Sequence, residues 1–198
     1  MPKQTASQTI GPYFAYGLTP EAYGRAGICG NVLAGADTAG ELIRVEGRVL
    51  DGGADPVDDA LIEIWQANAA GRYNHSADAR GEVALDEAFS GIGRCATDAE
   101  GRFWFETVKP GAVPGRGNTL QAPHINVVVM ARGMLLHAFT RIYFSDENTA
   151  NANDPVLESV EEARRPTLIA AREDSAKGPV FRFEIRLQGD GETVFFAA

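Results

Sequence analysis

The amino-acid sequence predicts a mainly β fold: an antiparallel β-sandwich with long loops, an extended N-terminal arm and a short helical segment. Three observations lead to this prediction. Several short runs alternate apolar and polar residues with the period of two that half-buried strands show. Gly, Pro, Asp and Asn bound these runs, as they do where strands turn. Only one stretch has a helical pattern, so helices do not alternate with strands as they do around a parallel sheet.

The N-terminal region differs from the rest of the chain in composition. Residues 1–40 are rich in Gly, Pro, Ala and Thr and have no sustained period. This composition predicts an arm and loops, of a kind that often reaches onto a neighbouring chain. Residues 41–198 are expected to form one β-sandwich domain, because 198 residues with 44% hydrophobic content suffice for one sizeable core.

The alternating runs place the strands. Residues 43–50, I-R-V-E-G-R-V-L, alternate apolar with charged side chains, and residues 60–66, A-L-I-E-I-W-Q, resume the alternation after a turn. Large aromatic side chains, here Trp65 and the F-W-F segment at 103–105, are expected in the core. Four further β-type segments are predicted along the chain: G-R-F-W-F-E-T-V (101–108), I-N-V-V-V-M-A (125–131), L-L-H-A-F-T-R-I-Y-F (135–144) and V-F-R-F-E-I-R-L (180–187).

One helical pattern lies between the last two of these segments. Residues 154–165, D-P-V-L-E-S-V-E-E-A-R-R, predict a helix with a solvated acidic face. Pro166 is expected to end or kink this helix, because proline removes a backbone donor and clashes with the preceding turn.

Composition narrows the class of partner. The formal net charge is −9, so the summed field would repel nucleic acid and anionic membranes, and small molecules or proteins remain. The chain has no run of about 18 apolar residues and no apolar N-terminal signal core, which favours a cytoplasmic protein. Cys29 and Cys95 are too few for a disulfide framework and fit reduced thiols, although one bridge between them stays open at this point.

The stretch Q-A-P-H-I-N-V-V-V-M, residues 121–130, has the spacing of a metal-binding strand with one ligand missing. Side chains at positions 124 and 126 leave the same face of a strand, which is the geometry that two imidazoles need to share a metal ion. Position 126 is Asn, whose amide is a poor ligand for iron, copper or zinc. The pattern by itself leaves open a damaged site, another kind of site, or none.

Four segments stand in order along the chain: I-E-I-W-Q-A-N-A-A-G-R-Y (62–73), T-D-A-E-G-R-F-W-F-E-T-V-K-P-G (97–111), A-P-H-I-N (122–126) and T-R-I-Y-F (140–144). Together they resemble the intradiol aromatic-ring dioxygenases. The resemblance runs from about Ser7 to Leu187. The N-terminal S-Q-T-I-G-P-Y-F, residues 7–14, is most similar to one chain, the α chain, of those members that act on protocatechuate through paired α and β chains.

The resemblance implies a ferric site that this chain has lost. The family holds Fe(III) with two tyrosines and two histidines, and Tyr73 and His124 match one of each. Val113 and Asn126 stand at the other two positions, and Gln121 stands where catalytic chains place an arginine. Losing a tyrosinate and an imidazole should cost most of the affinity for iron. We therefore expect Tyr73, Val113, His124 and Asn126 to be vestigial positions, with no metal and no catalytic residue in this chain.

The resemblance also implies a role for this chain in substrate binding. The iron is expected in the partner β chain, with the active site at the shared interface and a higher oligomer of such pairs. The matching substrate-binding residues are Thr9, Gly11, Pro12, Tyr13 and Arg132. An arginine and a neighbouring hydroxyl can bind the benzoate carboxylate of protocatechuate, and Gly-Pro offers a rigid backbone wall.

Other interpretations remain for the same residues. His124 and Tyr73 can be ordinary packing residues, G-P-Y an ordinary turn, and Arg132 a surface arginine before Gly133. At the level of function, the rivals are a self-sufficient dioxygenase with an altered metal site and a non-catalytic β-sandwich binding module. Val113 and Asn126 disfavour the first, and the four ordered segments disfavour the second.

Overall fold

The computed structural model describes residues 15–197 and confirms the mainly β class. Ten strands make up most of the regular structure in this range. They are β1 (Leu42–Leu50), β2 (Leu61–Gln66), β3 (Ile92–Ala96), β4 (Arg102–Val108), β5 (Val113–Pro114), β6 (Leu120–Gln121), β7 (His124–Met130), β8 (Ala138–Phe144), β9 (Ile169–Ser175) and β10 (Gly178–Arg186).

Helices are short in the described part of the chain. The α-helices are α1 (Ala15–Leu18), α2 (Asn148–Asn151) and α3 (Pro155–Ser159), and the 3-10 helices are Pro20–Tyr23, Arg116–Asn118 and Glu162–Leu168. None of the helices within residues 15–197 is long and apolar enough to cross a membrane.

Eight strands form one strongly folded sheet in the order β3-β2-β7-β8-β9-β10-β1-β4. The first half, through the start of β9, faces the second half, and side chains from both halves meet in the main core. β9 joins the halves, because Ile169 and Ala170 pair with β8 whereas Ala171 to Ser175 pair with β10. Most neighbouring strands of this sheet pair antiparallel, as in the predicted antiparallel sandwich, and the β8–β9 and β1–β10 pairs are parallel.

The main core explains the alternation in the sequence. The inward side chains of β1, β2, β4, β7, β8 and β10 are almost fully buried. On β7, Ile125, Val127 and Val129 point into this core, so His124 and Asn126 lie on the opposite face of the strand, as the spacing predicts. A second, smaller apolar cluster lies outside the sheet beside α3 and includes Tyr143, Leu157, Val160 and Leu168.

The predicted helix over residues 154–165 is wrong in its length. The α-helix ends at Ser159, and Val160 takes an extended backbone conformation with φ −87° and ψ 138°. Val160 is buried in the second cluster, and a separate 3-10 helix then contains Pro166. Packing of Val160 therefore interrupts a stretch whose local pattern favours a continuous helix.

The expectation that both tryptophans belong to the core is also wrong. Phe103 and Phe105 are buried in the core, but Trp104 lies on the other face of β4, where the guanidinium of Arg44 stands 4.1 Å from its ring centroid. Trp65 is half-buried on the outer face of β2. Cys29 and Cys95 are both free thiols.

The segment before β1 contacts both outer strands of the folded sheet. The backbone N–H of Arg94 on β3 donates to Gly30 O at 2.9 Å. The backbone N–H of Glu106 on β4 donates to Asn31 O at 2.8 Å, and Leu33 N donates back to Glu106 O at 2.8 Å. Residues 30–33 thus bridge the gap between the two sheet edges.

Candidate vestigial metal site

Three parts of the chain bring the four predicted metal positions together. Tyr73 lies in the loop after β2, Val113 begins β5, and His124 and Asn126 lie on β7. The loop before Tyr73 packs tightly on the loop before β5, because a Cβ at Gly71, where φ is +81°, would stand 2.1 Å from Ala112 O.

Asn126 contacts Tyr73 directly. The side-chain amide of Asn126 donates to the Tyr73 hydroxyl at 3.3 Å and to the backbone oxygen of Trp65 at 3.3 Å. The Tyr73 ring stacks on Trp65, with ring centroids 5.8 Å apart and an interplanar angle of 9°. Burial raises the pKa of the Tyr73 phenol, and the hydrogen bond from Asn126 only partly opposes this effect. Tyr73 is therefore a neutral phenol at neutral pH.

His124 is held as a neutral imidazole inside the protein. Its side chain is 3% exposed, and Nδ1 lies 2.8 Å from Ala122 O, so the neutral ring donates its Nδ1 proton there. Burial lowers the pKa of His124 to about 4, and the charge of Arg141 acts in the same direction. The ring of Tyr143 packs beside it at 5.7 Å.

An arginine that the sequence analysis did not select lies at the centre of this cluster. Arg141 on β8 pairs across the strands with Asn126, and its Nη1 donates to Gln121 Oε1 at 2.7 Å and to the Tyr143 hydroxyl at 3.2 Å. Its charge lowers the pKa of both Tyr73 and His124. A guanidinium thus supplies positive charge close to these two predicted metal positions.

The residues present do not fit a ferric ion. Val113 is buried at 4% exposure and has no donor atom, and Asn126 offers an amide in place of an imidazole. The Arg141 cation would repel a metal cation from the remaining Tyr73 and His124. Within residues 15–197, no group of three or more His, Cys, Asp and Glu side chains is arranged to hold a metal ion.

A cleft of about 800 Å³ opens on the Tyr73 side of the cluster. Trp65, Tyr73 and Val113 line one wall, and Asp78 and Arg80 line another. Asp78 accepts the backbone N–H of Tyr73 at 2.9 Å and pairs with Arg80 at 2.6 Å, and this pairing lowers the pKa of Asp78. The ion pair neutralises both charges, so this cleft presents mainly an apolar aromatic wall.

Arg132 lies away from this cluster. It follows the end of β7 opposite to His124, its side chain is 78% exposed, and its Nε pairs with Asp59 at 2.9 Å. Asp58 stands farther off, at 3.8 Å from the guanidinium. The remaining predicted substrate-binding residues, Thr9, Gly11, Pro12 and Tyr13, lie outside the described residues.

Sequence reasoning missed Arg141 and Asp154 as members of the site. Arg141 is the charged residue in the otherwise uncharged strand segment T-R-I-Y-F, which is a usable signal. Asp154 is the residue before Pro155, and its carboxylate caps α3 while accepting from Tyr143 at 3.1 Å. That Arg141 faces Asn126 depends on the β7–β8 register, which no local pattern specifies.

Comparison with known proteins identifies similar chains. The family model described as "Dioxygenase" matches residues 10–189. The chain is 48% identical to the protocatechuate 3,4-dioxygenase alpha chain of Burkholderia cepacia, over 98% of this chain and 97% of that one. It is 40% identical to the beta chain from the same organism, over 82% of this chain and 71% of that one. The dioxygenase domain of a Streptomyces fusion protein shares the fold, with a TM-score of 0.61 at 22% identity over 95% of this chain and 97% of that one.

Proposed function

The chain belongs to the intradiol ring-cleavage dioxygenases, a family that is iron-dependent in general, and from this premise we propose that it is the alpha subunit of a protocatechuate 3,4-dioxygenase. In this proposal it pairs with a beta chain that holds Fe(III), binds no iron itself, and completes the substrate pocket at the shared interface. The reaction is intradiol cleavage of protocatechuate by O2 to 3-carboxy-cis,cis-muconate, in which both oxygen atoms enter the product. The identity to an alpha chain over nearly the full length supports this assignment.

One observation carries the assignment of a non-metal role. The fold and two of the four metal positions are retained, yet Val113 is buried with no donor atom and Asn126 turns its amide to Tyr73. A chain that kept its own iron would need side chains with anionic or imidazole donors at both places. This observation supports placing the iron chemistry of the family in a partner chain.

The surface around Arg132 supports a role at that interface. Arg132 lies on the β7–β8 connection, beside Leu135 and Leu136, which are 76% and 64% exposed. Exposed apolar side chains next to an arginine are typical of surfaces that become buried in assemblies. Solvent screens the ion pair with Asp59, so a substrate carboxylate in a drier interface could replace it. Thr9, Gly11, Pro12 and Tyr13 are proposed to line the same pocket.

The first expected result concerns iron content. The chain purified alone should contain far less than one iron per chain and lack the tyrosinate-to-iron absorption, because Val113 and Asn126 cannot hold the metal. Elemental analysis and a visible spectrum check this, with the co-expressed beta chain as the positive control. A coloured, iron-loaded alpha chain made alone would contradict the proposal.

The second expected result concerns Arg132. In the assembled enzyme, Arg132→Ala should lower the apparent affinity for protocatechuate by roughly ten- to a hundredfold, because it removes a charge-assisted contact to the carboxylate. Catechol has no carboxylate, so its turnover should change little. Steady-state kinetics on both substrates measures this difference.

Two controls separate substrate binding from assembly for the same residue. Asp59→Asn removes the partner of Arg132 at the surface without removing the guanidinium, so it should leave the selectivity for protocatechuate in place. Tyr13→Phe should give a smaller loss than Arg132→Ala, since it removes one neutral hydroxyl. Equal losses on protocatechuate and catechol would show that Arg132 supports the interface and does not bind the carboxylate.

A further inference from the structure

A second cleft, of about 620 Å³, lies on the other side of Asn126 from the Tyr73 cleft. β7 and β8 form its floor, the segment around β6 and the start of α3 form its sides, and Phe196 closes one end. We refer to it as the Arg141 cleft. The residues that matter for its chemistry are Arg116, Gln121, Asn126, Phe139, Arg141 and Phe196.

The charge of the Arg141 cleft is opposite to that of the whole chain. The formal net charge of the protein is −9, yet two arginines and no carboxylate line this cleft. Among the described residues 15–197, no Asp or Glu lies within ion-pair distance of either Arg116 or Arg141. Of the two, Arg141 is half-buried, which makes its charge less screened than that of a surface arginine.

Arg141 keeps hydrogen-bonding capacity for a ligand. A guanidinium has five N–H donors, and its bonds go from Nη1 to two neutral acceptors, Gln121 and Tyr143. The Tyr143 hydroxyl that accepts from Arg141 donates in turn to the carboxylate of Asp154. Its two oxygens already accept from Tyr143 and from three backbone N–H groups. A half-buried cation held in place by neutral groups is a prepared site for an anion.

Aromatic and aliphatic side chains form part of the remaining walls of the cleft, beside the hydroxyl-bearing residues Thr119, Thr140 and Ser159. Phe139 on β8 and Phe196, which pairs with it through a β-bridge, are both half-buried. Pro155 and Val156 also line the cleft. An inorganic ion would leave these surfaces in contact with water, whereas a flat apolar ligand body would cover them.

We propose that the Arg141 cleft binds a small aromatic carboxylate, with the carboxylate on Arg141 and Arg116 and the ring against Phe139 and Phe196. This cleft adjoins the vestigial metal positions at Asn126, and its positive charge comes from arginine side chains. The inference concerns residues of this chain alone and does not depend on the proposed partner or on the location of the iron.

Crystallography with 4-bromobenzoate tests the proposal directly. Crystals of the full chain, in the assembly it forms, would be soaked over a range of concentrations, and the anomalous signal of bromine locates each bound molecule. We expect a bromine peak in the Arg141 cleft with the carboxylate at Arg141, separate from any ligand at a catalytic iron. Absence of a peak in this cleft at saturating ligand would overturn the proposal.

Variants and an uncharged analogue supply the controls. Arg141→Gln should raise the concentration for half occupancy by about ten- to a hundredfold. Arg116→Gln, at an exposed position that can tolerate the change, should raise it by roughly two- to fivefold. Arg102→Gln changes an arginine that lines a different cleft and should have no effect. 4-Bromobenzamide, which is uncharged, should not bind. Binding of this amide in the cleft would reject the proposal. Unchanged binding of 4-bromobenzoate to both Arg116→Gln and Arg141→Gln would also reject it.

Discussion

Replacing Asp154 by Ala is expected to lower the free energy of unfolding by about 4 kcal/mol, a large share of the total stability of a domain. The Asp154 side chain is fully buried. Its Oδ1 accepts from Val156 N and Leu157 N at 2.8 Å and from the Tyr143 hydroxyl at 3.1 Å, and its Oδ2 accepts from Ala122 N at 2.7 Å. Ala would leave the N-terminus of α3 uncapped and the other donors buried without a partner.

Urea unfolding followed by circular dichroism measures this loss. Asp154→Asn is the matched control, because it keeps an oxygen for the cap of α3 but turns an amide towards Ala122 N, and it should give an intermediate loss. Ser159→Ala removes one exposed hydroxyl near the other end of α3 and should cost little. A loss below about 1 kcal/mol for Asp154→Ala would show that the carboxylate does not connect α3 to the sheet as described.

Stability is expected to fall by about 3 kcal/mol between pH 6.5 and pH 4 through His124 alone, since its pKa drops from 6.5 to about 4 on folding. In this interval the unfolded chain binds a proton at His124 and the folded chain does not, so acid favours unfolding. The part of the free energy of unfolding that depends on neutral His124 is fully present above pH 6.5. It is lost progressively towards pH 4 and changes no further below that value.

The difference between the parent and His124→Gln isolates this effect. Other acidic groups, such as Asp78, whose pKa Arg80 lowers, are common to both proteins, and their contributions cancel in the difference. The parent should lose more stability than His124→Gln from pH 7 to pH 4 in parallel urea titrations. Parallel curves for the two proteins would show that His124 accepts a proton in the folded state without cost.

The sequence predicts those strands that carry apolar side chains into the main core. β1, β2, β4, β7, β8 and β10 all alternate clearly, because one face of each is buried and the other is not. β3, β9 and the two-residue strands β5 and β6 were not predicted. β3 contains Gly93 and Arg94 and has few apolar residues, and β9 is mostly exposed and rich in charge. These segments form strands because they pair with neighbouring strands, and a local sequence pattern does not predict such pairing.

The site divides in a similar way. The spacing of His124 and Asn126 on one strand face follows from the period of two and is confirmed by the burial of Ile125 between them. The stacking of Trp65 on Tyr73 and the cross-strand pair of Asn126 with Arg141 depend on strand register and on how a loop folds back. The sequence therefore predicted which side chains share one face of β7. It did not predict that the Arg141 cation lies at the centre of the cluster.

The bridge that residues 30–33 make between β3 and β4 has a consequence for aggregation. A sheet edge with free N–H and C=O groups can add a strand from another molecule, and this is a common start of disordered assembly. Gly30 and Asn31 accept from both edges, and Leu33 packs over Gly93, so a foreign strand finds these groups already engaged. At these positions of β3 and β4, association with another molecule therefore has to use side-chain surfaces and loops, which can discriminate between partners in a way that backbone pairing does not.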